Sequence, residues 1–182
     1  MFSVATERPE LELMLVDPEY GEELFSLIDR NRTYLRTWLP WLDNNNSPQD
    51  SEDFLRHCLQ GYFAKSSLTT LIRINGKIIG TVGFNSINHV NSEAEIGYWL
   101  DQNSTGNGYI TSAVKKLIEI GFQQYSLNRL VIRVAVGNEP SRRVAQRLDF
   151  QFEGIAQQGA HHYGQFLDLE IYSLLKRDWQ NR

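Results

Sequence analysis

The sequence predicts a single α/β (α+β) domain that spans residues 1–182. Two observations indicate this class: short segments with alternating apolar residues are interleaved with segments of helical spacing, and no linker, repeat or low-complexity run divides them. The order along the chain is β-α-α-β-β-β-α-β-α-β-β. With 41% hydrophobic and 22% charged residues, the composition is that of a soluble globular domain.

The first part of the chain predicts a strand and two helices. Residues 11–16 alternate weakly, as a strand does. Asp17-Pro18 then has the N-cap and first-turn proline of a helix start, and apolar residues follow at helical spacing. Ser47-Pro48 begins a second helix in the same way.

A run of strands follows. Residues 68–74 and 78–84 flank Asn75-Gly76, a dipeptide typical of a two-residue hairpin turn. Residues 93–100 alternate again and predict the fourth strand, with even and odd positions on opposite faces.

The remaining elements have clear boundaries. They are a helix at 109–125, a β-branched strand at 130–136, a short helix at 138–148, and a final antiparallel pair from Phe150 and at 166–175, around a loop that contains His161 and His162.

Composition excludes several function classes. The net charge is −4 and the basic residues are scattered among acids, which argues against direct nucleic-acid binding. The single cysteine, Cys58, forms no internal disulfide, which favours a reducing compartment. No segment has the length and apolarity of a membrane span, and none resembles a signal peptide. These observations predict a cytoplasmic protein.

The most informative unit is the glycine turn between the fourth strand and the long helix. Gly106-Asn107-Gly108 precedes a helix start, where unpaired N–H groups and a partial positive charge attract anions. A structural turn with no ligand is the alternative. The turn is neither a Walker loop, since no Gly-Lys-Ser/Thr follows, nor a Rossmann fingerprint, because Thr111 stands at its third glycine position.

Four segments together resemble a known superfamily. AEIGYWL at 94–100, GNGY at 106–109, NEPS at 138–141 and Phe150 are similar to the GNAT N-acetyltransferases of the RimJ/RimL ribosomal-protein group. The resemblance covers about residues 11–176.

The resemblance implies the GNAT fold, whose central mixed and mostly antiparallel twisted sheet has flanking helices. Its fourth and fifth strands, here 93–100 and 130–136, run parallel and splay apart. The backbone groups left unpaired there would bind the pantetheine amides of a coenzyme.

The resemblance also implies acetyl-CoA as cosubstrate, and no metal. The family signature has a glutamine or arginine, then a glycine, then a small residue. Thr105 and Ile110 depart from it, and Gly108 matches it. The expected cofactor-binding residues are Thr105, Gly106, Asn107, Gly108, Tyr109, Ile110 and Asn138. Helix capping is the alternative role of Asn138.

Catalytic candidates follow from the same resemblance. Many members use a tyrosine as acid where this chain has Ala145, so Ser141 is the expected acid, with an ordinary first-turn serine as the alternative. Glu95 is the first candidate base, ahead of Glu93 and His161. A solvated or paired strand carboxylate is the alternative for Glu95.

The implied reaction is direct acetyl transfer to an amine, and the favoured acceptor is a protein α-amine, whose pKa near ~8 needs little help from a base. The Trp38–Trp41 segment and the loop 159–165 are expected to border the acceptor. Ala160 stands where a glutamate is expected, which keeps small-amine acceptors open. A non-catalytic acetyl-CoA sensor is the alternative class, and a homo-oligomer remains open.

Overall fold

A computed structural model describes residues 3–181, whose strands form one eight-stranded sheet. The strands are β1 (Ser3–Ala5), β2 (Leu11–Leu15), β3 (Leu68–Ile74), β4 (Lys77–Asn88), β5 (Glu93–Leu100), β6 (Arg129–Ala135), β7 (Gln151–His162) and β8 (Gln165–Leu175). Their order across the sheet is β1-β2-β3-β4-β5-β6-β8-β7, and the β5–β6 pair is parallel while the other neighbours are antiparallel. The predicted mixed sheet is therefore confirmed.

Helices flank the sheet. They are α1 (Gly21–Arg30), α2 (Arg32–Arg36), α3 (Pro48–Phe63), α4 (Tyr109–Gln123), α5 (Glu139–Arg147) and α6 (Lys176–Gln180). The first predicted helix is divided in the structure, because the chain turns at Asn31 between α1 and α2. In the described part of the chain, no helix is long and apolar enough to cross a membrane.

Two hydrophobic clusters lie on opposite faces of the sheet. On one face, α4 and α5 pack on the even-numbered residues of β5, including Ala94, Ile96 and Leu100. On the other face, α1 and α3 pack around a cluster that contains Trp99. Successive side chains of β5 thus point into different hydrophobic clusters, as the alternation in the sequence predicts.

The pairing between β5 and β6 stops halfway. Residues Glu93–Ile96 pair with Arg129–Ile132, and the register then ends. Beyond that point Gly97–Leu100 remains bonded to β4, and Arg133–Ala135 remains bonded to β8. The two strands therefore face each other across an opening lined by unpaired backbone groups.

The last hairpin differs from its prediction. Strand β7 runs through His162, and the turn consists of Tyr163 and Gly164, both with positive φ. His161 and His162 are thus strand residues, because ladder bonds to Phe166 and Gln165 extend the pair to the turn.

Candidate active site

The turn before α4 has the backbone geometry of an anion cradle. Gly106 and Gly108 have φ values of +80° and +77°, in the left-handed region that favours glycine. Gly108 is the N-cap of α4, and no side chain caps this helix. The first N–H groups of α4, from Tyr109 onward, are therefore available to a ligand.

Two side chains of the turn form hydrogen bonds with its own backbone. Thr105 Oγ1 donates to the carbonyl of Gln102 at 2.7 Å, and Asn107 Nδ2 donates to the carbonyl of Thr105 at 3.1 Å. Tyr109 and Ile110 pack against the cluster beneath α4. These residues would thus serve a cofactor through their backbone rather than through their side chains.

A buried polar pair anchors the start of the turn. Asn31 Nδ2 donates to Asp101 Oδ1 at 2.7 Å, and the N–H of Gln102 donates to Asn31 Oδ1 at 2.9 Å. Both side chains are buried, so each hydrogen bond holds the loop after β5 firmly against α1. Sequence patterns gave no sign of this pair, since its members lie 70 residues apart.

A cation lies beside the same turn. The Arg8 guanidinium is 5.3 Å from the centre of the Tyr109 ring, and a Cβ added at Gly108 would be 3.1 Å from Arg8 Nη2. Arg8, whose guanidinium is also 3.9 Å from Glu10 Oε1, thus lies next to the helix start, where the sequence has Thr105 in place of a long polar side chain.

Ser141 lies at the start of α5. The N–H of Ser141 donates to Asn138 Oδ1 at 3.3 Å, so Asn138 caps the helix. Among residues 3–181, Asn138 Nδ2 donates to no side chain or carbonyl, which leaves it available to a ligand. Ser141 Oγ is 2.9 Å from Tyr98 Oη of β5. This contact joins α5 to the part of β5 that is not paired with β6. Ala145 is fully buried one turn further along the helix.

Glu95 lies on the opposite face of β5 from Tyr98. Its carboxylate is 3.1 Å from Arg133 Nε and accepts a hydrogen bond from Asn85 Nδ2 at 3.2 Å. Glu95 is thus a paired carboxylate that keeps part of its surface in solvent.

Glu93, the second candidate base, is engaged elsewhere. Its Oε2 accepts a hydrogen bond from Arg129 Nε at 2.6 Å, and the same guanidinium forms two 2.6 Å bonds to Glu153. This ion-pair group lies where β5 and β6 are still paired.

The two histidines of β7 differ in their surroundings. The His161 ring is 4.9 Å from the Phe166 ring on the exposed side of the hairpin. His162 Nδ1 is buried and has no hydrogen-bond partner in the structure of residues 3–181. Burial, with a smaller effect of His161, lowers the pKa of His162, which favours its neutral form.

The segments expected to border the acceptor contact each other. Tyr163 Oη donates to the carbonyl of Leu39 at 2.7 Å, and the Arg36 guanidinium lies 3.8 Å from the centre of the Tyr163 ring. Trp41 lies 6.4 Å from Trp99 of β5, between ring centres. The segment 38–41 and the β7–β8 turn thus meet on the face of β5 that carries Glu95.

Across residues 3–181, no group of three or more His, Cys, Asp or Glu residues is placed to hold a metal ion.

Comparisons with known proteins show the family of the chain. The model of the acetyltransferase (GNAT) domain matches residues 10–151, most of the chain. YdaF of Bacillus subtilis (strain 168) is 36% identical over 171 residues, which cover 93% of each chain. The ribosomal-protein-serine acetyltransferase of Escherichia coli (strain K12) is 32% identical over 163 residues, 90% of this chain and 91% of its relative.

A solved structure extends the agreement to three dimensions. The RimL ribosomal L7/L12 alpha-N-protein acetyltransferase in complex with coenzyme A superposes with a TM-score of 0.93 at 25% identity, over 97% of this chain and 99% of that one. This chain therefore belongs to the GNAT family of acetyltransferases, and the family resemblance drawn from its motifs is confirmed.

Proposed function

We propose that the protein transfers an acetyl group from acetyl-CoA to the N-terminal α-amine of a protein, such as a ribosomal protein. The observation that carries the proposal is the opening between β5 and β6, with the glycine turn at its end. The relatives named above support the reaction and the acceptor, since two of them are named for acetylation of ribosomal proteins.

The proposed cofactor position follows from the backbone. The N–H of Thr105 already donates to the carbonyl of Gln102 at 3.2 Å, so the N–H groups of residues 106–110 would bind the pyrophosphate, and Arg8 would add charge beside them. Asn138 would contribute its free Nδ2 group. The pantetheine would run along the opening, bonded to the unpaired groups of Gly97–Leu100.

The two proposed catalytic groups approach that opening from opposite faces. Ser141 lies on the face of β5 that carries Tyr98, and Glu95 projects from the other face. An amine would enter beside Glu95 and attack the thioester carbon, while the sulfur would depart towards Ser141. Direct transfer without an acyl-enzyme requires that the amine be held against the face of the thioester carbonyl.

Each group has a proposed task in the reaction. The amine loses a proton to Glu95 or to water, the C–N bond forms, and the C–S bond breaks with its electron pair on sulfur. Ser141 Oγ–H supports the departing sulfur, which leaves as coenzyme A thiol with the second proton that the nitrogen loses as the amide forms. Little acid assistance is needed, because a thiol has a pKa near ~8.5.

Mass spectrometry tests the acceptor. We expect rapid acetylation of a Ser- or Ala-initiated peptide, and none of the same sequence with a blocked terminus and a free lysine. Equal rates for the two peptides would contradict the α-amine assignment. Reaction of spermidine, with neither peptide modified, would show that the acceptor is a small amine. Binding of acetyl-CoA with no turnover of any amine would indicate a sensor.

The Ser141→Ala variant tests the site separately. We expect turnover to fall by about a hundredfold, the low end for acid–base catalysis, with little change in acetyl-CoA affinity. Unchanged turnover between pH 6 and 9 would remove Ser141 from the mechanism while leaving the overall activity in place.

A further inference from the structure

Tyr98 makes a contact that links the opening of the sheet to α5. It lies on β5 beyond the last residue paired with β6, and its ring packs against the cluster under α4. Its hydroxyl is 2.9 Å from Ser141 Oγ and 3.3 Å from the carbonyl of Ser141. Within the described chain, both polar contacts of this hydroxyl are therefore to Ser141, and its one hydrogen can serve only one of them at a time.

The chemistry of the two hydroxyl groups defines what this contact can do. A serine hydroxyl has one hydrogen and two lone pairs, so a donor at one lone pair leaves the hydrogen free to point elsewhere. The Ser141 Oγ contact is the shorter of the two made by the phenol. The single hydrogen of the phenol can go either to Ser141 Oγ or to the Ser141 carbonyl; when it goes to Oγ, the hydrogen of Ser141 is left to point away from the tyrosine.

We propose that Tyr98 is a positioning residue that orients the Ser141 hydroxyl, so that its hydrogen points at the sulfur of the departing coenzyme A. This inference rests on the proposed function, because it assigns a partner to the proposed acid. No covalent step involves Tyr98, whose phenol keeps its proton throughout.

The surroundings of the phenol support a permanent donor. Burial raises the pKa of Tyr98 to about 12, and the hydrogen bond to Ser141 offsets only part of this effect. The hydroxyl therefore stays protonated over the whole neutral range. The backbone carbonyl of Ser141 remains an acceptor for it when the serine side chain is removed.

A double-mutant cycle tests the proposal. The variants are Tyr98→Phe, Ser141→Ala and the double variant, assayed for turnover with the peptide or amine that the wild-type enzyme acetylates best. We expect Tyr98→Phe to lower kcat about five- to tenfold and leave the Kd of acetyl-CoA within twofold. In the Ser141→Ala background, Tyr98→Phe should have no further effect, because the hydroxyl that Tyr98 orients is absent from that variant.

Tyr125→Phe is the matched control. Tyr125 packs in the same cluster, edge-on to Phe84, and its hydroxyl has no contact with Ser141. This variant removes a phenol oxygen from the same core and should keep full turnover. Thermal melting of all variants separates a loss of fold from a loss of orientation.

The outcomes distinguish a failure of the role of Tyr98 from a failure of the proposed function. If Ser141→Ala lowers turnover and Tyr98→Phe does not, or if the two losses multiply, Tyr98 does not act through Ser141 and the inference is overturned. If Ser141→Ala has no effect, the assignment of the acid fails and the inference fails with it. A wild-type enzyme that modifies only spermidine contradicts the proposed acceptor, and the cycle measured with spermidine still decides the role of Tyr98.

Discussion

Replacement of Gly108 by alanine would test the cradle directly. A left-handed conformation costs a residue with a Cβ about 1–2 kcal/mol, so the variant should lose about that much stability. The new Cβ would also lie 3.1 Å from Arg8 Nη2, and the side chain of Arg8 must move. Relief of the strain by rotation of φ would turn the N–H of Tyr109 away from a bound phosphate.

The expected loss of affinity follows from that rotation. A hydrogen bond to a charged group contributes about 1.5–3 kcal/mol, which corresponds to roughly a tenfold to 150-fold weaker Kd for acetyl-CoA. Isothermal titration calorimetry gives the Kd, and chemical denaturation gives the free energy of unfolding. The two measurements separate loss of the fold from loss of the site.

Gly76→Ala is the matched control. Gly76 has φ +82° in the hairpin turn between β3 and β4, and a Cβ there would lie 3.5 Å from Arg73 Nη2. Both variants thus carry the same backbone strain next to an arginine, and only Gly108 borders the proposed site. We expect equal losses of stability and a loss of affinity in Gly108→Ala alone. Equal affinities in the two folded variants would refute the placement of the pyrophosphate.

Three further predictions concern other parts of the chain. Burial raises the pKa of the Cys58 thiol, so Cys58→Ser should keep most activity, and an acetylated enzyme detected by mass spectrometry and lost in this variant would contradict direct transfer. The hydrogen bonds of Arg129 lower the pKa of Glu153 to about 2, so the stability that Glu153 contributes is complete above pH 4.5 and is lost as the pH falls towards 2. Because Glu153 is largely solvent-exposed, Glu153→Gln should cost about 1 kcal/mol at pH 7 and less at pH 3, and an equal cost at both values in urea denaturation would count against the ion pair. Tyr163→Phe removes the bond to Leu39 and should raise the KM for a peptide a few-fold at constant acetyl-CoA affinity, whereas an unchanged KM would place the acceptor elsewhere.

The elements with strong local signals could be predicted from the sequence. Strands β3 and β5 begin and end at the predicted residues, because alternation and flanking turn residues define them locally. The left-handed backbone at Gly106 and Gly108 could also be expected, since glycine adopts it at little cost. Strand β1 was missed because three residues are too few to show a period.

The contacts that position the site were beyond sequence reasoning. The Asn31–Asp101 pair and the Tyr98–Ser141 pair join residues 70 and 43 positions apart, so no periodicity or motif connects them. At the break between α1 and α2, Asn31 Nδ2 donates to the carbonyl of Leu27 at 2.8 Å, which is the acceptor that the N–H of Asn31 would use in a continuous helix, and this N–H bonds to the carbonyl of Ile28 at 3.0 Å instead. The roles of the cradle residues, Ser141 and Glu95 stay predictions until variants are measured.

The incomplete pairing of β5 with β6 also has a mechanical consequence. Strands β1–β5 and β6–β8 form two half-sheets, joined in the sheet by the four residue pairs from Glu93–Arg129 to Ile96–Ile132. A pantetheine chain bonded to Gly97–Leu100 would fill the gap between the two half-sheets, so the coenzyme would stiffen the sheet as well as supply the acetyl group. Amide hydrogen exchange along Gly97–Leu100 would then slow when coenzyme A binds and recover when the product leaves.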